Sequence, residues 1–271
     1  MNWYKKIIIT LAFFCFFSTA FGCFIMFLTD GKTVLVANHE DWYARDAEVT
    51  FIPSLGKKYG MLYFDFASES YAQGGMNTAG LFFDGTRTPN APYADNNTKQ
   101  DCHCYIWKKI LEECATVDQA IAYVQKYKIP GLEDIHVMFA DKSGHSAVAG
   151  IYKEQLQIHR RTANYQLLTN FNLSNPSYGG EPVCQRYAAA DSMIHVDSSV
   201  TIDNVQKILS KTSQEELTVY SNIYNLTSGE VYVYSVYTRN NFTKKAKINL
   251  VKELIKGKHS IKIKNLFKKM I

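Results

Sequence analysis

Cys23 stands directly behind an apolar leader, and a cysteine at a free amino terminus carries a nucleophile and a base in one residue. The α-amine has a reference pKa of about 7.7 to 8.0, so near neutral pH it can take the thiol proton without a histidine. Attack of the sulphur on a carbonyl carbon would create an oxyanion, which needs donors such as a side-chain amide. Asn170, expected at the end of a strand, is a candidate for that role, and Asp41 is the acid expected to hold the amine and tune its charge. A Cys/His thiol site is the competing chemistry. His136 sits in an apolar strand and His145 in a loop, which reads as structural for both, whereas His39 lies close enough to the first hairpin to contact substrate or tune a pKa.

The chemistry depends on Cys23 becoming the first residue. Residues 1–22 have the three parts of a secretory signal: Lys5 and Lys6, an apolar run of about 11 residues from Ile7 to Phe17, and the small residues Ala20 and Gly22 before a cut. That run is shorter than the roughly 20 residues of a membrane-spanning helix, so no retained span is expected. Signal peptidase would act as the processing partner, and the location would be secreted or periplasmic. A cysteine after a leader also fits lipid attachment, but such cuts favour Leu three residues before the cysteine, and Ala20 and Phe21 weigh against an anchor.

Removing 22 of the 271 residues leaves 249, read as one domain over 23–271, and lowers the formal net charge from +5 to +3. That bias is too weak to argue for nucleic acid. Seven lysines between Lys252 and Lys269 alternate with apolar residues and read as the solvated face of a closing strand and helix. With Cys15 in the leader, the cysteines other than Cys23 are Cys102, Cys104, Cys114 and Cys184, enough for one or two disulfides in an oxidising compartment. Asp101-Cys102-His103-Cys104 lacks a second Cys/His pair at finger spacing, so neither metal nor cofactor is expected. Sequons occur at Asn96, Asn172, Asn225 and Asn241.

The elements that must position these residues begin with a hairpin. Asp30-Gly31 joins the apolar run from Cys23 to Leu28 to the β-branched run from Thr33 to Ala37. With those two residues as the loop, Cys23 lies across from Asn38, and Asp41 falls at the same sheet end. Strands are expected at Phe51–Pro53, Met61–Phe66, Ile135–Ala140, Ser146–Tyr152, Gln155–His159 and Leu167–Asn170, with a late hairpin of Leu217–Tyr224 and Val231–Tyr237. Helices are expected at Cys104–Cys114, Val117–Tyr127 capped by Thr116, Pro182–Ile194 and Ile202–Leu209. Grouped strands and helices point to an α+β layered domain. The pairs Trp42-Tyr43 and Phe82-Phe83 read as core before pocket, and the polar segment from Thr86 to Gln100 is a surface excursion that could border a pocket.

Cys23 with its hairpin, Asp41-Trp42, Gly75-Met76-Asn77-Thr78-Ala79-Gly80-Leu81, Asp141-Lys142-Ser143-Gly144, Leu168-Thr169-Asn170 and Arg186-Tyr187 resemble, in order and spacing, the motifs of the choloylglycine hydrolase and penicillin V acylase family. These are cysteine N-terminal nucleophile hydrolases, and the resemblance runs from Cys23 to about Leu250. It implies an αββα sandwich and hydrolysis of a linear carbon–nitrogen amide bond in a small N-acyl amide, through a thioester. By the same resemblance Cys23 is nucleophile and base, Asp41 the acidic partner, Asn170 an oxyanion donor and Arg186 the arginine that organises the site's charges. The second oxyanion position falls near Thr86 or Arg87; Asn38, His39 and Asn77 complete the candidates for substrate contacts.

One departure is plain. Arginine stands three residues before the aspartate in the bile-salt and penicillin enzymes, and Asn38 occupies that place here. A fixed guanidinium is not replaced by an amide; Arg45 is the nearest candidate to compensate. Only 15 residues separate Asn170 from Arg186, so the insertion that builds bile-salt hydrolase tetramers is absent and no oligomeric state transfers. Acyl transfer on the same fold, or a lipid-anchored or non-catalytic binding protein, are the alternatives to hydrolysis.

Overall fold

The computed structural model describes residues 22–69, 71–178, 184–214, 216–235, 242 and 245–267. The leader through residue 21, Pro182 of the expected third helix, the end of the expected last hairpin strand, the Asn241 sequon, Lys268 and Lys269 lie outside those residues.

Two antiparallel sheets stack face to face. The first is six-stranded, in the order β10 (Tyr165–Leu168), β1 (Phe24–Thr29), β2 (Val34–Asp41), β11 (Thr218–Asn225), β12 (Glu230–Ser235), β13 (Lys245–Asn249). The second is eight-stranded, in the order β14 (His259–Lys262), β3 (Ala47–Ile52), β4 (Met61–Phe66), β5 (Gly74–Asn77), β6 (Leu81–Arg87), β7 (Ile135–Asp141), β8 (Ser146–Tyr152), β9 (Gln155–Arg160). Helices α1 (Ile106–Glu113) and α2 (Val117–Lys126) cover the outer face of the second sheet, and α3 (Gln185–Val196) and α4 (Ile202–Thr212) that of the first. The Thr116 hydroxyl accepts from the Gln119 amide and caps α2 as expected. Short helices α5 (Leu250–Leu254) and α6 (Ile263–Leu266) flank β14. This is the α+β, αββα sandwich expected from the sequence.

Each of the three layer interfaces has its own apolar core. Period-two alternation in a strand sends neighbours to opposite faces. In β1, Ile25 and Phe27 therefore enter the inter-sheet core with Phe51, Phe64, Phe82 and Met138, while Phe24, Met26 and Leu28 pack under α3 and α4. Both faces are covered, which is why β1 reads as one apolar run. The same rule separates Phe82, in the inter-sheet core, from Phe83, which stacks on Trp107 of α1 with centroids 5.9 Å apart.

The first hairpin differs from its sequence reading. Its loop has four residues, 30–33, not two, because Thr29 pairs with Val34. Asp30 Oδ1 accepts from the amides of Lys32 and Thr33, and only Gly31 takes a left-handed φ, of +83°. A two-residue type I′ loop needs positive φ at both positions. Paired residues consequently sum to 63, as in Phe24 with His39 and Ile25 with Asn38. Continuing that register sets Cys23 opposite Glu40 rather than Asn38.

The disulfide pairing is also settled in part: Cys102 bonds Cys104, while Cys114 and Cys184 are free thiols. Asn172 is buried and donates to the Ile151 carbonyl, so its sequon is closed to a glycan in the folded chain.

Asn77 is a fold residue. Its Nδ2 donates to the carbonyls of Leu111 and Cys114, both at 2.7 Å, and its Oδ1 accepts from the amides of Ala79 and Leu81. The side chain pins the end of α1 to the turn between β5 and β6. Asn77→Ala strips partners from four backbone groups, and urea unfolding is expected to show a loss of about 2–4 kcal/mol. A variant as stable as wild type would remove this assignment.

Candidate active site

β1 and β2 deliver the central residues by alternation. Residues 38 and 40 face the inter-sheet side, as Cys23 does, while 39 and 41 face the helices. Cys23 is buried with 8% exposure, and its Sγ donates to Glu40 Oε1 at 3.3 Å. The Asp41 backbone amide faces the same sulphur. Burial pushes the thiol well up, the charges of Glu40, Asp41 and Asp84 add to that, and the Asp41 amide opposes it. With Gly22 still attached, this cysteine is a resting thiol.

Asp41 turns to the helical side and meets Arg186, near the start of α3. The guanidinium Nη1 donates to Asp41 Oδ2 at 2.6 Å, and Thr218 Oγ1 donates to Oδ1 at 2.5 Å. Burial raises the Asp41 carboxyl; the guanidinium and the Thr218 hydroxyl work against that. Nη2 of Arg186 reaches the Gly22 carbonyl at 2.5 Å and Asn170 Oδ1 at 2.9 Å. Asn170, two residues beyond β10, donates from Nδ2 to the Arg87 carbonyl at 2.8 Å. Its amide also lies against residue 22: a Cβ there would fall 1.5 Å from Nδ2, so a larger residue before Cys23 would have to displace the Asn170 side chain. Cys23, Asp41, Asn170 and Arg186 are thus brought together around one peptide link.

A cavity of 310 Å³ opens beside Cys23. Trp42, Tyr71, Phe83, Tyr105 and Trp107 give it an aromatic wall, and Thr86 and Arg87 lie on its border. Thr86 Oγ1 donates to the Thr169 carbonyl, and Arg87 pairs with Asp134 across 3.6 Å. Phe83 is core beneath α1 and Trp42 packs on the inter-sheet core against Phe66, as their sequence reading has it, and both also line the cavity.

Three candidates for substrate contact are placed elsewhere. His39 faces α4, fully buried, with Nδ1 at 2.7 Å from Ser221 Oγ and Nε2 at 3.0 Å from Thr212 Oγ1. Burial holds its ring well below the usual histidine range, so it is neutral. Asn77 is bound to α1, as above. Asn38 donates to Asp84 Oδ2 at 2.6 Å in the inter-sheet interior. Arg45 does not fill the place of the missing arginine: it donates to the Glu216 carbonyl at the surface.

Sequence reasoning missed Glu40 and Asp84. Both are buried, and burial raises both carboxyls, Glu40 to about 8 and Asp84 well above the carboxylate range. The Glu40-Asp41 doublet was a usable signal, since adjacent strand residues face opposite ways. Among the described residues no group of three or more His, Cys, Asp or Glu could hold a metal ion, and no helix is long and apolar enough to cross a membrane.

Lysine cannot bond Asp41, Gly22 and Asn170 together as the guanidinium fork does. Arg186→Lys should cost about 2–4 kcal/mol in urea unfolding, because it leaves a buried carboxylate poorly paired. In a double-mutant cycle with Asp41→Asn the loss of the double mutant should fall short of the sum of the two single losses. Strictly additive losses would show that the pair is uncoupled.

The fold is shared with solved structures of low sequence identity. Penicillin V acylase from Agrobacterium tumefaciens aligns with TM-score 0.66 at 16% identity, covering 85% of this chain and 86% of that one. A conjugated bile acid hydrolase from Clostridium perfringens gives 0.65 at 18%, covering 89% and 96%. The Caenorhabditis elegans N-acylethanolamine-hydrolyzing acid amidase ortholog gives 0.57 at 12%, covering 76% and 93%. No curated protein matches this sequence. Residues 30–257, nearly the whole of the two sheets, match one family, and the chain belongs to it: the acyl-coenzyme A:6-aminopenicillanic acid acyl-transferase family.

Proposed function

We propose that the mature chain begins at Cys23 and hydrolyses the linear amide bond of a small N-acyl amide, with the cysteine sulphur as nucleophile and its own α-amine as base. The observation that carries this reading is the seat of the Gly22 carbonyl. It rests on Arg186 with the Asn170 amide against it, directly beside the sulphur and at the wall of the aromatic cavity. Loss of the leader would leave that seat and expose the amine. Extracytoplasmic location and cleavage by signal peptidase belong to the same proposal.

The steps balance with the groups at hand. The α-amine takes the thiol proton and the sulphur adds to the amide carbonyl. The carbon–nitrogen bond then breaks, the amine returns its proton to the departing nitrogen, and an acyl thioester remains. Water, deprotonated by the amine, adds to the thioester; the carbon–sulphur bond breaks, releasing the acid and restoring the thiol. Asn170 Nδ2 would serve the oxyanion once its bond to the Arg87 carbonyl is exchanged, and Arg186 would keep Asp41 charged and in place. The aromatic cavity supports an acyl group of modest size, since its 310 Å³ lies at the lower end of the roughly 300–1,000 Å³ typical of small-molecule pockets.

The family name favours a second reading, acyl transfer. Both share the thioester and differ in whether water or an amine resolves it.

The processed protein should have an intact mass starting at Cys23, and iodoacetamide followed by peptide mass spectrometry should label that residue. Against a panel of bile-salt, phenoxyacetyl and long-chain N-acyl amides, Cys23→Ser should lose on the order of 10³-fold or more in kcat/KM. Product partitioning with excess acceptor amine separates transfer from hydrolysis. Labelling elsewhere, a diacylglyceryl cysteine, or a wild type inactive on the whole panel would sink the catalytic reading in favour of a binding protein.

A further inference from the structure

Glu40 is the acid nearest the sulphur, and the steps above leave it without a task. Its Oε1 is 3.3 Å from Cys23 Sγ, its Oε2 is 3.5 Å from the Tyr220 hydroxyl, and the side chain is 1% exposed yet lines the cavity. The groups around it come from five places. Cys23 precedes β1, Asp84 lies on β6, Tyr220 and Tyr224 on β11, and Glu69 and Tyr71 between β4 and β5; Asp41, its neighbour on β2, is turned to Arg186.

This surrounding is rich in acceptors and short of donors. Asn38 gives its amide to Asp84, and Asn222, facing Asn38 across the sheet, gives its own to Tyr224. The Oδ1 atoms of Asn38 and Asn222 are buried with no partner among the described residues. Nor does any ion pair among those residues reach Glu40 or Asp84, and Arg186 is bonded to Asp41, Gly22 and Asn170. A second buried carboxylate here would stand beside an acidic neighbour with no side-chain cation to offset it and only the single α-amine of a mature Cys23 shared with Asp41, whereas a carboxylic acid adds the donor that the site lacks. Burial accordingly pushes Glu40 up to about 8.

We propose that Glu40 works as a neutral carboxylic acid, the hydrogen-bond donor that meets the Cys23 sulphur once it becomes a thiolate, and that loss of its proton turns the nucleophile off. The proposal rests on Cys23 being the nucleophile. In the resting state the S–H donates to the carboxyl oxygen. When the α-amine takes the thiol proton, the carboxyl O–H donates to the sulphur anion; no covalent bond to carbon changes. An ionised Glu40 instead accepts the S–H and repels the thiolate, so the same side chain has opposite effects in its two charge states. The switch therefore favours the thiolate below about 8 and opposes it above.

The test uses the mature full-length protein with iodoacetamide as probe, reading Cys23 alkylation against pH in wild type, Glu40→Gln and Glu40→Met. Both variants are uncharged, and the expected thiol titration moves down by about one pH unit, near tenfold faster alkylation at pH 8. With any N-acyl amide that the wild type cleaves, kcat/KM should show a fall through about pH 8 in wild type that is missing from both variants. A limb set by the α-amine would persist in all three. At pH 7 the glutamine variant, which keeps a donor, should exceed the methionine variant by roughly tenfold. Superimposable alkylation curves would overturn the proposal while leaving amide hydrolysis intact. Equal turnover of the two variants at pH 7 would overturn the donor role. Separated alkylation curves with no turnover of any amide would defeat the catalytic reading and leave the Glu40–Cys23 coupling standing. Should the glutamine variant fail to fold, the methionine variant, of similar volume and apolar, carries the alkylation arm alone.

Discussion

One guanidinium joins three segments that are far apart along the chain. Arg186 enters from the first turn of α3 and holds Asp41 at the end of β2, Asn170 beyond β10 and the carbonyl just before Cys23. Removing such a pair from water is unfavourable for both partners, and the attraction offsets this only when geometry is good and the remaining hydrogen-bonding positions are filled. Here they are filled: Thr218 serves the second oxygen of Asp41, and two neutral acceptors take the other arm of Arg186. A planar fork with several donors in fixed directions suits this position, which a point-charge ammonium could not occupy in the same way. The arrangement fixes where the Gly22–Cys23 link lies.

The inter-sheet side of β2 has the opposite electrostatic character. Asn38 brings an amide where related enzymes carry arginine, and the nearby acids Glu40 and Asp84 have no cation among the described residues. Protons take the place of the missing charge. The signs follow by linkage. A carboxyl raised in the folded state keeps a proton that the unfolded chain releases, so Glu40 lowers stability progressively as pH rises from about 4.5 toward 8. His39, and His136 at about 4, act the other way: the unfolded chain gains protons that the folded one refuses, so stability falls as pH drops below about 6.5. The buried histidines thus set the acid limit of the fold and the buried acids press on its alkaline side.

Periodicity made the layers legible. Met61–Phe66 and Ser146–Tyr152 stand as read, the four larger helices lie within two or three residues of their expected bounds, and Thr116 caps where it should. The meeting of Asp41, Asn170 and Arg186 with Cys23 was also legible, through the order of motifs more than through any single one. What was hidden turned on loop chemistry. Asp30-Gly31 suggests a two-residue turn, but the Asp30 carboxylate accepts two amides further on and lengthens the loop to four. A shift of two in the register sum moves the partner of Cys23 from Asn38 to Glu40, and with it the identity of the acid that touches the sulphur. His39 was misread for a related reason: nearness along the chain to the hairpin end says nothing about which face of β2 it leaves from.

The loop after β10 and the wall of the pocket are one hydrogen-bonded unit. Asn170 bonds the Arg87 carbonyl, Thr86 bonds the Thr169 carbonyl, and together they tie the loop after β10 to the end of β6. The same Asn170 amide packs against residue 22, where a side chain would have to displace it. Arg186 bonds both the Gly22 carbonyl and Asn170 Oδ1, which links residue 22 to Arg87 through the Asn170 amide. On this geometry the segment before Cys23 is placed by the same side chains that shape the cavity rim.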